Sequence, residues 1–140
     1  MRSIERGYYY IRQESKEWYD LAVMDLKIAR YLEETYRPKP LEIICYHCQQ
    51  AAEKGMKALI IYYGAEGGMP KLHDLSFLLN QIKNKVEVED RFYDYADTLT
   101  PYGVTIRYPN ELFLEERNAK AAIQYTHEIM QWVYRIINEA

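Results

Sequence analysis

The first candidate motif in the sequence contains two cysteines and a histidine, at a spacing that also occurs in redox and zinc sites. Cys45 and Cys48 are separated by two residues, one of which is His47. A redox C-x-x-C motif needs its reactive cysteine at a helix N-terminus, where the helix dipole lowers the thiol pKa, and a structural zinc site needs four ligands. Both cysteines instead lie inside a helical apolar repeat, and the other histidines, His73 and His127, have no paired spacing. We therefore predict that both cysteines pack in the core, and we predict neither a metal nor a cofactor.

Charged residues that follow the cysteines are a second candidate for chemistry. The segment QQAAEKGMKALIIYYG mixes small residues, which let another helix approach closely, with Glu53, Lys54 and Lys57. Asp25 lies on the inward side of an earlier helical repeat. A buried carboxylate needs a partner, because an unpaired buried charge is costly. Two interpretations stay open: these residues fix the register of a bundle by binding amides, hydroxyls or an arginine, or they belong to a ligand site.

Arg107, in the motif IRYPN, is a third candidate. A guanidinium fork suits either a carboxylate or a phosphate. In the structural interpretation, Arg107 binds a carboxylate such as Glu53 or Asp25. In the functional interpretation, it holds a nucleotide phosphate, and Tyr102 or Tyr108 stacks on the base.

His73, Lys54 and Lys57 also have two interpretations each. His73 precedes a short apolar segment, so it is a candidate helix cap together with Asp74; its alternative role is that of a ligand or a base. Lys54 and Lys57 lie one helical turn apart, and we interpret them as a solvated edge. Their alternative role is to add positive charge to a nucleotide site.

Helices must position all of these residues. Apolar residues recur at steps of three and four, and no stretch alternates well enough to predict a strand. Pro38 and Pro40 end the first helix, and Gly64 is placed to end the second in the left-handed conformation. The fold class predicted is all-α, an up-and-down bundle of four long helices and one short helix. The predicted helices cover residues 14–36, 41–63, 72–82, 89–102 and 114–138, and the residues expected inward on the first are Trp18, Leu21, Ala22, Ala29 and Leu32.

Length and charge limit the classes of function. The chain has 140 residues, enough for one domain spanning residues 1–140. A net charge of −3 argues against a general nucleic-acid coat, but it is compatible with a small nucleotide or one local RNA contact. No apolar run approaches the roughly 18 residues of a membrane span, and no basic-then-apolar leader opens the chain. We therefore predict a cytoplasmic protein without membrane association.

Four motifs in a fixed order resemble the HEPN domain family. They are WYDLAVMDLKIARYL, YHCQQAAEKGMKALIIYYG, HDLSFLL and IRYPN, and they are followed by the long final helix. The resemblance implies an up-and-down helical bundle that forms a symmetric homodimer. It also implies pairing with a minimal nucleotidyltransferase encoded beside it, in a setting like that of toxin–antitoxin systems.

Some HEPN proteins are metal-independent ribonucleases, and the resemblance aligns Arg107 with the arginine of their active pair. The histidine of that pair follows four to six residues later, but residues 108–114 contain no histidine. The leading hypothesis is therefore a non-catalytic protein, either nucleotide-binding or a regulatory partner of the transferase. One alternative is an endoribonuclease that uses Arg107 with His73 as a displaced base. Another is a purely structural oligomerisation module.

Overall fold

All regular structure in the part of the chain described here is helical. The computed structural model describes residues 3–64, 73–104 and 111–138, with side chains from residue 11 onward. A short 3-10 turn, Thr100–Gly103, follows the fourth helix. The predicted all-α helical bundle is confirmed. The helices are α1 Ser3–Thr35, α2 Leu41–Tyr62, α3 Leu75–Asn80, α4 Asp90–Leu99 and α5 Glu116–Asn138.

Local signals set the ends of α2 and α3. Helix α2 begins directly after Pro40, and Gly64 follows its end with a φ of 60°, as predicted. Helix α3 begins after Asp74, whose carboxylate accepts the backbone N–H groups of Ser76 and Phe77. Asp74 rather than His73 is therefore the N-cap, which leaves the His73 side chain available for another contact.

Helix α2 is the central element of the bundle. It packs against α1, α3, α4 and α5, and it buries Ile44, Met56 and Leu59 completely. Each such side chain contributes about 1.5–3 kcal/mol when it leaves water. On the far side of this core, the rings of Phe92 and Trp132 stack with centroids 4.8 Å apart and join α4 to α5. Polar residues of α2 are thus carried into the interior by the helix with the largest buried surface.

Three sequence predictions need correction. Helix α1 begins at Ser3, not at residue 14, so the aromatic segment before that point is helical. Helix α4 has ten residues and continues only as the 3-10 turn, because Pro101 has no N–H to extend an α-helix. Leu21 is exposed: the buried face of α1 is centred on Ala22 and Ala29, and Leu21 lies about 100° away around the helix.

The predicted absence of a membrane span can be checked against the lengths and hydropathies of the described helices. Within the described ranges, no helix combines the length and the apolar character that crossing a bilayer requires.

Candidate functional site

Glu53 is the centre of a buried polar cluster on α2. Glu53 is only 4% exposed, and its carboxylate accepts three hydrogen bonds. Gln49 Nε2 and His73 Nδ1 donate to Oε1 over 3.0 and 2.9 Å, and Lys57 Nζ donates to Oε2 over 2.8 Å. Because a carboxylate only accepts, the proton of a neutral His73 lies on Nδ1. We call Gln49, Glu53, Lys57 and His73 the Glu53 cluster.

Helical spacing and one close backbone approach build this cluster. Gln49, Glu53 and Lys57 follow one another at intervals of four, so they share a face of α2. The 3-10 turn presses on this face at Gly103, where a Cβ would lie 2.5 Å from Gln49 Cδ. A side chain at this position would displace the Gln49 amide, so the glycine lets the buried amide keep its hydrogen bond to Glu53. The cluster depends on the turn after α4 as well as on α2.

The charge of Glu53 is held by its partners. Burial raises the pKa of Glu53, but the hydrogen bonds from Lys57, Gln49 and His73 together outweigh burial and hold the pKa below its usual value. The carboxylate is therefore ionised at neutral pH. Lys57 is itself buried and also lies over the ring of Trp18, with 5.7 Å from Nζ to the centroid. The prediction that Lys57 lies on a solvated edge is wrong, because its side chain is packed between the Glu53 carboxylate and the Trp18 ring.

Asp25 is the centre of a second cluster, formed between α1 and α2. It is 7% exposed, and both of its oxygens are used. His47 Nδ1 lies 2.9 Å from Oδ1, and Lys54 Nζ lies 2.6 Å from Oδ2. The predicted inward position is confirmed, and the partners are a histidine and a lysine. We call Asp25, His47 and Lys54 the Asp25 cluster.

The tyrosine and arginine candidates have different outcomes. Tyr102 is buried, and burial raises the pKa of its hydroxyl. Its ring packs in the core, and its stacking on a base stays a prediction. Arg107 and Tyr108 lie outside the described residues, and their predicted roles stay predictions.

The cysteines are core residues, as predicted. Cys45 and Cys48 are free and completely buried. Burial raises the pKa of each thiol to about 12, so neither forms the thiolate that nucleophilic or metal chemistry needs at neutral pH. In the three described ranges, no group of three or more His, Cys, Asp and Glu side chains is placed to hold a metal ion.

Sequence reasoning missed two members of these clusters and one residue that packs against them. Gln49 precedes Glu53 by four residues, and this spacing alone could have identified it. His47 was interpreted only with the cysteines, although it precedes Lys54 by seven residues and therefore shares its helix face. Gly103 had no signal of its own, because its role comes from the packing of a turn against Gln49.

Comparison with known proteins supports the helical architecture over most of the chain. The family model described as HEPN domain matches residues 15–137. The crystal structure of ST0689, an archaeal HEPN homologue, is similar with a TM-score of 0.71 and 25% identity, covering 89% of this chain and 98% of that one. The crystal structure of TT1696 from Thermus thermophilus is similar in fold, with a TM-score of 0.73 and 21% identity, covering 86% of this chain and 96% of that one. No curated protein matches the chain in sequence.

Proposed function

The chain belongs to the HEPN domain family, and from that premise we propose that it is a non-catalytic member that binds a nucleotide and regulates a minimal nucleotidyltransferase. In this proposal it acts as a homodimer, in a setting like that of toxin–antitoxin systems. Arg107 holds the nucleotide phosphate and Tyr108 stacks on the base, because a guanidinium fork suits a phosphate and an aromatic ring suits a base.

The pairing of both buried carboxylates with protein donors is the observation that carries the non-catalytic part. Glu53 and Asp25 each receive hydrogen bonds on both oxygens from protein donors. A carboxylate acting as a general base must come within reach of the proton that it removes, but both residues are buried. Glu53 and Asp25 instead hold lysine and histidine side chains in place. Their role in the proposal is to support a binding surface, to which the partly exposed Lys54 contributes positive charge.

Titration with ATP tests the nucleotide part. A ligand that binds the folded state raises the melting temperature, so we expect millimolar ATP to stabilise the protein. The increase should be smaller for Arg107→Ala than for the parent. Arg117→Ala is a matched control, because Arg117 is an exposed arginine at the start of α5. An equal increase in the parent and in Arg107→Ala would contradict the assignment of Arg107, and the absence of any increase would contradict nucleotide binding.

The partner and the assembly have separate tests. Co-expression with a nucleotidyltransferase encoded beside this chain should yield a complex that survives gel filtration. Light scattering should report a dimer at micromolar concentration, and a monomer would contradict the homodimer. A dimer that binds neither nucleotide nor transferase would instead support the structural oligomerisation module.

One observation favours an endoribonuclease as the second candidate function. His73 is paired through Nδ1 with Glu53 while its side chain stays 73% exposed. A histidine oriented by a buried carboxylate has its Nε2 lone pair free to take a proton, as a general base requires. In this alternative, His73 activates the RNA 2′-hydroxyl and Arg107 stabilises charge on the phosphate.

Incubation with labelled tRNA and mRNA separates the two functions. The non-catalytic proposal expects no cleavage by the parent protein. Cleavage that is lost in both Arg107→Ala and His73→Ala, but retained in His47→Ala, would replace it with the endoribonuclease. His47 is the matched control, because it has the same carboxylate contact in the Asp25 cluster.

A further inference from the structure

A groove between α1 and α5 shares no lining residue with the Glu53 or Asp25 clusters. It encloses about 420 Å³, a volume within the range of small-ligand sites. Its apolar lining comes from Val23 and Leu26 of α1 and Met130 of α5. The groove is partly open to solvent, which gives a ligand access from the surface.

The groove carries positive charge that no described carboxylate neutralises. Lys27 and Arg30 of α1 and Arg135 of α5 line it, and its lining includes no aspartate or glutamate. None of the three cations forms an ion pair with a carboxylate of the described ranges. The whole chain has a net charge of −3, so this local excess runs against its composition. A bound anion would relieve the repulsion between these cations.

Arg30 is held in position at one end of the groove. Its guanidinium lies 2.7 Å from Nδ1 of His127 on α5. Because a guanidinium only donates, a neutral His127 accepts this bond. The bond uses one N–H group and fixes the plane of the fork, so the remaining donors are oriented before a ligand arrives. Lys27 precedes Arg30 by three residues and therefore lies beside it on the same helix face. This end of the groove suits a phosphate.

Two aromatic rings lie at the other end. Tyr19 of α1 and Tyr134 of α5 have centroids 6.0 Å apart, at an angle of 45°, and both line the groove. Tyr134 is about half exposed, which leaves ring surface for a flat ligand group. Tyr19 precedes Arg30 by eleven residues, which is roughly 16 Å along the helix axis. The arrangement fits an extended molecule with a ring at one end and a phosphate at the other.

We propose that the α1–α5 groove binds an organic phosphate that carries an aromatic ring, with its phosphate on Lys27 and Arg30 and its ring against Tyr19 and Tyr134. Arg135 adds positive charge along the groove. None of the residues that line the groove is assigned to the nucleotide site of the proposed function, so either proposal can fail without the other.

Titration of the labelled protein with ADP, followed by methyl NMR, tests the proposal in a way that locates the ligand. The methyl resonances of Val23, Leu26 and Met130 should shift and saturate. Removal of a charge-assisted hydrogen bond weakens binding by about tenfold or more, so Arg30→Gln should lose affinity to that extent. Lys27→Gln removes an exposed side chain without a described structural contact, and it should lose about two- to fivefold.

Matched controls separate this site from the other one. Arg117→Gln removes an exposed arginine outside the groove and should bind like the parent, and Arg107→Ala should keep the groove shifts. Pyrophosphate should bind more weakly than ADP, and adenosine more weakly still. The affinity should fall as sodium chloride increases, because partly exposed charges are screened.

Three results would overturn the proposal. One is the absence of saturable shifts at these methyl groups with millimolar ADP. Another is unchanged affinity in both Arg30→Gln and Lys27→Gln. Equal affinity for pyrophosphate and ADP would show that the tyrosine rings do not contribute to binding. The proposal that the ligand is an organic phosphate with an aromatic ring would then fail.

Discussion

Two buried carboxylates of this protein have the same kinds of partners but different surroundings. Glu53 and Asp25 each bind one lysine and one histidine. Around Glu53, the lysine side chain is 10% exposed and the histidine side chain 73%. Around Asp25, the two values are 26% and 23%. The Glu53 cluster thus combines a buried ion pair with an exposed histidine, whereas the two partners of Asp25 are each about three-quarters buried.

The origin of the partners explains this difference. Lys57 and Gln49 come from the same helix as Glu53, so the ion pair goes with α2 into the centre of the bundle. His73 comes from the segment before α3 and reaches Glu53 from the surface. Both partners of Asp25 come from α2, so this cluster ties α1 to α2 at their boundary. We infer that the Asp25 cluster joins α1 to α2, while the Glu53 cluster joins a buried ion pair to one accessible side chain.

Glu53→Gln should have the largest effect on stability. The substitution keeps the shape of the side chain but leaves the Lys57 ammonium buried without its carboxylate, which costs about 3–5 kcal/mol of unfolding free energy. Urea unfolding followed by circular dichroism measures this loss. Glu42→Gln, an exposed glutamate in the first turn of the same helix, is the control. A loss no greater than that of Asp25→Asn would remove the contrast between the two clusters.

Asp25→Asn should cost less, about 1–2 kcal/mol, because the freed Lys54 and His47 can still reach water. The same urea experiment applies, with Asp20→Asn as an exposed control on α1. If the losses for Asp25→Asn and Glu53→Gln were equal, the Asp25 cluster would be as dry as the Glu53 cluster in solution.

A smaller effect is expected in acid. The folded-state pKa of Glu53 lies below its usual value, which is about 4.3 in an unfolded chain. The contribution of this lowered pKa is therefore complete above that value and is lost as the pH falls through the lower folded pKa. The unfolding free energy, measured in urea from pH 6 to pH 3, should fall more steeply in the parent than in Glu53→Gln. Parallel curves would show that Glu53 keeps an ordinary pKa.

His73→Ala should have the smallest effect on stability, below about 1 kcal/mol, because its side chain is mostly exposed. His47→Ala, which removes the less exposed histidine, should cost more in the same urea experiment. If His73→Ala were the more destabilising of the two, the open histidine would be a structural residue, and its candidate role as a base would lose support.

Local signals in the sequence were sufficient to predict much of the fold. The steps of three and four in α2 predicted its bounds almost to the residue, and they placed Cys45 and Cys48 in the core. The left-handed Gly64 was predicted from residue type alone, and Asp74 was one of two candidate caps, because each satisfies a backbone need within its own turn. The motifs also identified the HEPN family, which the match over residues 15–137 confirms.

Only the tertiary structure decided which groups meet. The sequence required a partner for Asp25 and for Glu53, but His47 is 22 residues from Asp25 and His73 is 20 residues from Glu53. Arg30 and His127, which define one end of the α1–α5 groove, are 97 residues apart. The position of a charged residue on the inward face of its helix is enough to indicate that it needs a partner. The identity of that partner depends on how the helices rotate and pack against one another.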